Sequence, residues 1–338
     1  MKGKRFVFAK HFDGVPKKSD FELVEEEVPP VKDGEVLFQA LFISVDPYMR
    51  PYSARIQTGT TMIGEQVARV VESKHPGYKV GDNVVAYFGW RTHTVLNPDK
   101  NINPLDNKPS KPYILPDFGG VSLSTALGVL GMPGNTAYFG LTKLCEPKPG
   151  EVLVVNGAAG AVGSLVGQIG KILGLRVIGF AGSDDKVKLL KEKYNFDAAF
   201  NYKTKDVTEA LKEAAPEGVD CFFDNVGGVM SSAIISCMKL YGRIAVCGSI
   251  SAYNDDPKKP TLAPIIQPSM IFKQLKMEGF VVSRWLNIWQ EGIAQNLQYI
   301  KEGKLKYEET VYEGFEKIFD AFIGLFKGEN TGKAVVKI

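Results

Sequence analysis

The stretch Val152-Leu-Val-Val-Asn156-Gly157-Ala158-Ala159-Gly160-Ala161-Val162-Gly163 constrains this chain more than any other. Val152–Val155 is wholly apolar, as a strand buried on both faces must be, and residues 162–173 follow as a helix. Between them glycines recur every third residue. That spacing permits a tight turn, lets a ligand approach the backbone closely, and aims helix N-terminal N–H groups at a pyrophosphate. It also serves strand–helix packing alone, so the surrounding pattern has to decide between the two.

That pattern is strand–helix alternation. Strands are expected at Arg176–Ala181, 219–223 and 243–247, with helices at 184–193 and around 230–238. The class is therefore α/β, a Rossmann-type doubly wound parallel sheet with helices on both faces. Before it, residues 4–10, 21–28, 35–44, Gln66–Ser73 and 83–88 are short Val/Phe/Ile-rich runs separated by turn signals, a β-rich domain. After it, Trp285, Trp289, Ile293, Leu297 and Ile300, then Phe315, Ile318, Phe319, Phe322 and Phe326, recur at helical spacing, and residues 333–338 end the chain as a strand. Residues 101–116 and 254–268 are Pro-rich loops.

The second strand indicates which dinucleotide fits. Asp184 and Asp185 stand about 20 residues after the glycines, where an acid would hold a ribose 2′-hydroxyl. The strand ends at Ala181, however, and places Gly182 at its tip. Ser183 is then the N-cap, with both aspartates in the first helical turn, where carboxylates suit the dipole. Lys186 is in reach of a 2′-phosphate, so the expected cofactor is NADP(H).

Composition removes other classes. Forty-one basic residues against 38 acidic ones give +3, so no nucleic-acid partner is expected. Cys145, Cys221, Cys237 and Cys247 form no CxxC pair, and His11, His75 and His93 have no paired-ligand spacing, so no metal is expected. The uncharged runs at 118–142 and 152–170 lack the apolar density of a membrane span, and the apolar stretch at 6–9 is too short for a signal peptide. A cytoplasmic protein with reduced thiols is expected.

Five strings occur in one order: Val45-Asp-Pro-Tyr-Met-Arg50; Gly131-Met-Pro-Gly134 with Thr136-Ala-Tyr-Phe-Gly140; Ala158-Ala-Gly-Ala-Val-Gly163; Phe223-Asp-Asn-Val-Gly-Gly228; and Cys247-Gly-Ser-Ile-Ser-Ala-Tyr-Asn254. With them the chain resembles the zinc-independent medium-chain dehydrogenases/reductases, and within these the leukotriene B4 dehydrogenase/prostaglandin reductase group, also described as alkenal or alkenone reductases. The resemblance implies a GroES-like catalytic domain made of residues 1–125 and 301–338, with an NADP-binding Rossmann domain, 126–300, inserted between them. It also implies a cytosolic homodimer using NADPH. Zinc-dependent members carry a Gly-His-Glu string where this chain has Ile63-Gly64-Glu65, and no Cys precedes Cys145.

The resemblance assigns Ala158, Ala159, Gly160 and Ala161 to the pyrophosphate, and Lys186 with Tyr202 to the 2′-phosphate. Asn225 and Cys247, Gly248, Ser249, Ile250, Ser251, Ala252 and Tyr253 should line the path from adenosine to nicotinamide. Phe280, Val281, Val282, Ser283, Arg284, Trp285 and Leu286, with Asn330, should close on the nicotinamide. Trp285 also suits a helix core and Asn330 a turn.

The implied activity is NADPH-dependent reduction of the C=C bond of lipid enals and enones, 15-oxo-prostaglandins included, together with oxidation of the leukotriene B4 12-hydroxyl. Without a metal, the carbonyl oxygen must be held by hydrogen-bond donors in a dry site, and a neutral phenol is a good donor. Tyr253 is the expected main donor and Tyr48 the second; packing roles for both stay open. Arg50 suits a substrate carboxylate or a structural ion pair. The resemblance implies that some relatives carry a tyrosine where this chain has Phe272, and Ser283 stands where a bulky aromatic would narrow the pocket. A quinone reductase, and a crystallin-like NADPH-binding structural protein, are the alternatives.

Overall fold

Alternating apolar residues in the first hundred positions pair as antiparallel strands. β1 (Lys2–Phe8) runs against β2 (Phe21–Glu27), with Phe8 opposite Phe21. β3 (Val36–Ser44), β4 (Gln66–Ser73), β5 (Asn83–Ala86), β6 (His93–Leu96) and β7 (Tyr113–Ile114) build a second sheet, and the short helix α1 (Met49–Tyr52) follows β3. The computed structural model describes residues 1–256 and 258–338. It divides into two units, Met1–Leu127 with Thr310–Glu329 and Ala334–Ile338, and Gly128–Glu309 with Asn330–Lys333.

The core of the first unit is aromatic. Phe21 stacks on Trp90 at 5.3 Å, and Phe322 meets the edge of the same indole at 5.5 Å. A Cβ on Gly64 would lie 2.8 Å from Trp90, so only glycine leaves room for the ring there.

In the second unit every strand is parallel. β8 (Val152–Val155), β9 (Arg176–Ala181), β10 (Ala198–Asn201), β11 (Val219–Asp224), β12 (Met238–Val246) and β13 (Lys276–Gly279) lie in the order β10-β9-β8-β11-β12-β13. The helices are α2 (Met132–Gly140), α3 (Gly163–Ile172), α4 (Asp184–Glu192), α5 (Val207–Ala214), α6 (Gly228–Ser236), α7 (Gln267–Phe272) and α8 (Trp289–Lys301). The strand order reverses between β8 and β11, and in such sheets ligands bind at the carboxyl ends of the strands beside that reversal.

The expected loop at 101–116 contains β7, which pairs with β5 as a short edge strand, and two further departures lie in the second unit. Met238 opens β12 rather than closing a helix, because α6 starts early on the positive-φ pair Gly227 and Gly228. Trp285 does not open a long helix. It has non-helical dihedrals inside a 3₁₀ segment, Val282–Ile288, where its ring stacks on Phe139 at 5.6 Å and tilts against Phe280 at 5.5 Å. The chain then returns to the first unit through β14 (Glu309–Glu313), α9 (Ile318–Lys327) and β15 (Lys333–Lys337), which extend the second sheet to β14-β15-β3-β4-β5-β7, with β6 on β3.

Candidate active site

The glycine turn in the second unit is tied on three sides. Gly157 has φ of +57°, and the Ala158 N–H donates to Phe180 O at 3.0 Å. A Cβ on Gly163 would meet Gly157 O at 2.4 Å, so α3 rests directly on the turn. A Cβ on Gly160 would meet that oxygen at 3.4 Å, an ordinary contact, so this glycine answers to something other than packing. On the third side Gly332 N–H donates to Ala159 O at 2.8 Å. This brings Asn330, whose amide caps Gly332 O at 2.9 Å, beside the turn.

The carboxyl ends of β8 and β11 are locked together by two buried side chains. Asn156 donates through Nδ2 to Asp224 Oδ1 at 2.8 Å, and its own Oδ1 accepts the Asn225 N–H at 2.6 Å. Asn225 returns its amide to Asn156 O at 2.9 Å. Asp224 Oδ1 also accepts the N–H groups of Val226 and Gly227, and its carbonyl accepts those of Cys247 and Gly248. Ser251 donates to Val226 O at 2.6 Å, and Ile250 N–H to Asn225 O at 3.3 Å. Residues 247–253 thus form a loop laid across the sheet's carboxyl edge. Tyr253 folds back on that loop, its Oη accepting Ser249 N–H at 3.3 Å. Burial and the Asp224 carboxylate push the Cys247 thiol up to about 12.

At the tip of β9, Gly182 leaves the space a Cβ would take, 3.1 Å from Tyr202 Oη. Ser183 is the N-cap of α4, its hydroxyl accepting Lys186 N–H at 3.4 Å, with Asp184 and Asp185 in the first turn as expected. Asn201 Nδ2 holds Asp184 at 2.9 Å. Burial, followed by the charge of Lys203, lowers the Lys186 pKa. Two lysines therefore converge where a carboxylate would otherwise stand.

Residues 280–286 leave β13 next to this edge. Phe280 N–H donates to Val246 O at 3.2 Å, and the ring packs on Phe223 and Trp285. Trp285 and Val282 are buried, whereas Val281, Ser283, Arg284 and Leu286 are exposed and Arg284 pairs with Glu278.

The first unit carries Tyr48 and Arg50. Tyr48 lies edge-on to Tyr52 at 5.6 Å, and burial, followed by the Tyr87 phenol, holds its pKa well above the ordinary phenol range. Arg50 donates from Nε and Nη2 to Gly14 O, at 3.2 and 3.0 Å, and lies 5.2 Å over the Phe12 ring. No group of three or more His, Cys, Asp or Glu side chains arranged to hold a metal occurs among the described residues. Nor is any helix among them long and apolar enough to cross a membrane.

With this geometry established, known proteins resolve the family. Residues 4–104 match the family described as the N-terminal domain of oxidoreductase, and residues 161–298 the one described as zinc-binding dehydrogenase. Prostaglandin reductase 1 of Bos taurus is 53% identical over 99% of this chain and 98% of its own length. The chain belongs to the zinc-independent medium-chain reductases. The NADP-dependent 2-alkenal reductase of Nicotiana tabacum is 39% identical over 99% of this chain and 97% of that one. Among solved structures, CurA of Vibrio vulnificus in complex with NADPH superposes with a TM-score of 0.90 at 35% identity, covering 99% of this chain and 98% of that one.

This medium-chain reductase is an NADP-dependent oxidoreductase. Its glycine turn, Asn225, the 247–253 loop and Asn330 are joined by the hydrogen bonds above, while Lys186 lies in the first turn of α4 and Tyr202 directly after β10. Three contributors escaped the sequence reasoning. Asn156 and Asp224 lie inside quoted strings but signal themselves only as buried polar residues at strand ends. Lys203 follows Tyr202 in a turn, where a lysine is unremarkable without its neighbour Lys186.

Proposed function

We propose that this reductase delivers a hydride from NADPH to the β-carbon of a C=C bond conjugated to a carbonyl, in lipid enals and enones including 15-oxo-prostaglandins. What carries the reading is the edge of the parallel sheet: a glycine cradle at the strand-order reversal, with a glycine tip and two lysines in place of an acid. A 2′-phosphate suits that tip, since Gly182 offers no carboxylate to repel it and Tyr202 and Lys186 offer a phenol and a cation. When bound, the nicotinamide supplies the hydride. The names of the relatives, prostaglandin reductase 1 and 2-alkenal reductase, support the substrate class.

The chain's own groups hold the cofactor and manage the carbonyl oxygen. Backbone at Ala158, Ala159, Gly160 and Ala161 takes the pyrophosphate. Asn225 and residues 247–253 hold the nucleotide's length, and residues 280–286 with Asn330 shield the nicotinamide from water. Tyr253, oriented by the Ser249 N–H, donates its hydroxyl to the oxygen that gains charge as hydride arrives, and Tyr48 is the second donor. Arg50 keeps Nη1 for a substrate carboxylate while Gly14 and Phe12 hold the rest of its guanidinium.

The test is NADPH consumption at 340 nm with a medium-chain 2-alkenal, repeated with NADH and with an ortho-quinone. Turnover with alkenal and NADPH is expected. Turnover with the quinone alone would overturn the substrate assignment, and NADPH binding without any turnover would favour a structural role.

A cytosolic homodimer completes the reading. β13 is an edge strand of the parallel sheet, and Phe272, Ile271 and Tyr241 beside it are 81%, 68% and 60% exposed. Apolar groups of this size along an open edge favour pairing with a second copy. Sedimentation is expected to give a dimer and F272D a monomer; an unaltered dimer in F272D would place the contact elsewhere.

A further inference from the structure

One acid at the edge of the nucleotide unit has no part in the mechanism above. Asp184 stands about 20 residues after the glycine turn, the spacing at which a carboxylate holds a ribose 2′-hydroxyl and repels a 2′-phosphate. It is exposed at the first position of α4, two residues past Gly182 and two before Lys186. A carboxylate there that turned to the strand tip would undo the selectivity that the glycine confers.

The neighbouring strand holds it. Asn201 ends β10 in register with Ala181, the last residue of β9. Its Oδ1 accepts the Lys203 N–H at 3.1 Å, and its Nδ2 donates to Asp184 Oδ1 at 2.9 Å. An N–H on one side and a carboxylate on the other fit only this orientation of the amide. The Asn201 carbonyl accepts the N–H groups of Thr204 and Lys205 at 3.1 and 3.0 Å, and Tyr202 N–H donates to Ala181 O at 3.2 Å. The turn that presents Tyr202 is therefore built on Asn201, and Tyr202 Oη lies 3.1 Å from the place a Cβ on Gly182 would take. One side chain thus closes the turn that carries the phenol and ties the carboxylate to β10.

We propose that Asn201 is a positioning residue that sets the preference for NADPH over NADH, its amide holding Asp184 to β10 and keeping the Gly182 tip open to a 2′-phosphate. The inference rests on that phosphate being taken up by Gly182, Lys186 and Tyr202, as proposed above. Selectivity between two nucleotides that differ in one phosphate is a difference of affinities, and a like charge beside the phosphate weakens one of the two alone. The first turn of α4 favours an anion, so the helix dipole and the amide act on the carboxylate together. Without the amide, the exposed side chain is released to turn to the tip, where it repels a phosphate and accepts a ribose hydroxyl. Asn201 needs no contact with the nucleotide to do this.

The experiment measures NADPH and NADH affinities by fluorescence titration in N201S, N201D, D184N/N201S and K186M. Serine can close the same turn through its hydroxyl but is too short to reach Asp184. N201S is expected to bind NADPH about tenfold more weakly, the lower worth of a charge-assisted bond, with NADH affinity unchanged or higher. N201D keeps an acceptor for the Lys203 N–H and turns the tie to Asp184 into repulsion, so its loss of NADPH affinity is expected to be at least as large. D184N/N201S is expected to regain the wild-type ratio of the two affinities, because no carboxylate is left to hold. A wild-type ratio in N201S or N201D, equal losses for both nucleotides, or a D184N/N201S no better than N201S would each overturn the proposal. An unaltered ratio in K186M would instead move the phosphate elsewhere and overturn the reading on which this one rests.

Discussion

Two glycines three residues apart in the nucleotide turn are expected to fail in opposite ways when each gains a methyl group. In G163A the new Cβ meets Gly157 O at 2.4 Å, Ala158 Cα at 2.9 Å and Gly157 C at 3.0 Å. All three are backbone atoms, so no side chain can swing aside, and α3 must retreat by about 1 Å to restore ordinary contact. Overpacking of this kind costs roughly 1–3 kcal/mol, and the gain from stiffening the unfolded chain returns only about 0.4–1 kcal/mol. A net loss of about 1.3 kcal/mol corresponds to a Tm lower by roughly 3–5 °C in a unit of this size. In G160A the methyl meets only Gly157 O, at 3.4 Å, and the backbone there is not left-handed. Its Tm is expected to stay within about 2 °C of wild type, since changes without a packing defect cost at most about 0.5 kcal/mol. The methyl would project instead where the pyrophosphate approaches, and NADPH affinity is expected to fall at least about tenfold, or 1.4 kcal/mol. Differential scanning fluorimetry of the apoproteins and fluorescence titration with NADPH separate the two effects. Equal Tm losses in both variants, or an unchanged Tm in G163A, would refute the division of labour between packing and ligand approach.

Other consequences can be checked independently. K186M is expected to weaken NADPH binding about 10- to 100-fold, the worth of a charge-assisted contact of roughly 1.5–3 kcal/mol, with NADH affinity unchanged; equal losses for both nucleotides would move the 2′-phosphate elsewhere. Y253F should keep NADPH affinity while kcat with a 2-alkenal falls about 100-fold, the low end for removing an oxyanion donor; unchanged turnover would dismiss that phenol. The Cys247 thiol, raised to about 12, is expected to resist iodoacetamide at pH 8 in the native protein, and rapid native-state labelling there would contradict its environment. Its pKa is higher folded than unfolded, so the native state binds more protons between the ordinary value of 9.0 and about 12. Its contribution to stability is therefore whole below pH 9 and declines as pH rises through that window, which denaturant titrations of wild type and C247A can resolve.

Strands buried on both sides announce themselves in the sequence. Val152–Val155 and Arg176–Ala181 stand with the bounds their apolar runs imply, and so does the Ser183 cap of α4. The two edges of the parallel sheet do not. Ala198–Asn201 and Lys276–Gly279 pair on one side only and need no apolar run, so neither stands out in the sequence. Trp285 followed helical spacing because it is buried, yet its burial comes from Phe139 and Phe280 rather than from a helix face. In the candidate site, glycines and caps are legible because their constraints are local. The Asn156–Asp224 lock joins residues 68 positions apart and has no local signature.

The placement of residues 330–338 also governs when this protein can become itself during synthesis. Asn330–Lys333 belong to the nucleotide unit, where Gly332 braces the turn at Ala159, while Ala334–Ile338 supply the strand that joins β14 to β3 in the first unit. A growing chain that has emerged as far as residue 329 therefore has one sheet split at an interior position and one nucleotide turn without its brace. A ribosome stalled a few codons before residue 332 would hold two unfinished units, and completion of both is triggered by the same short stretch of translation.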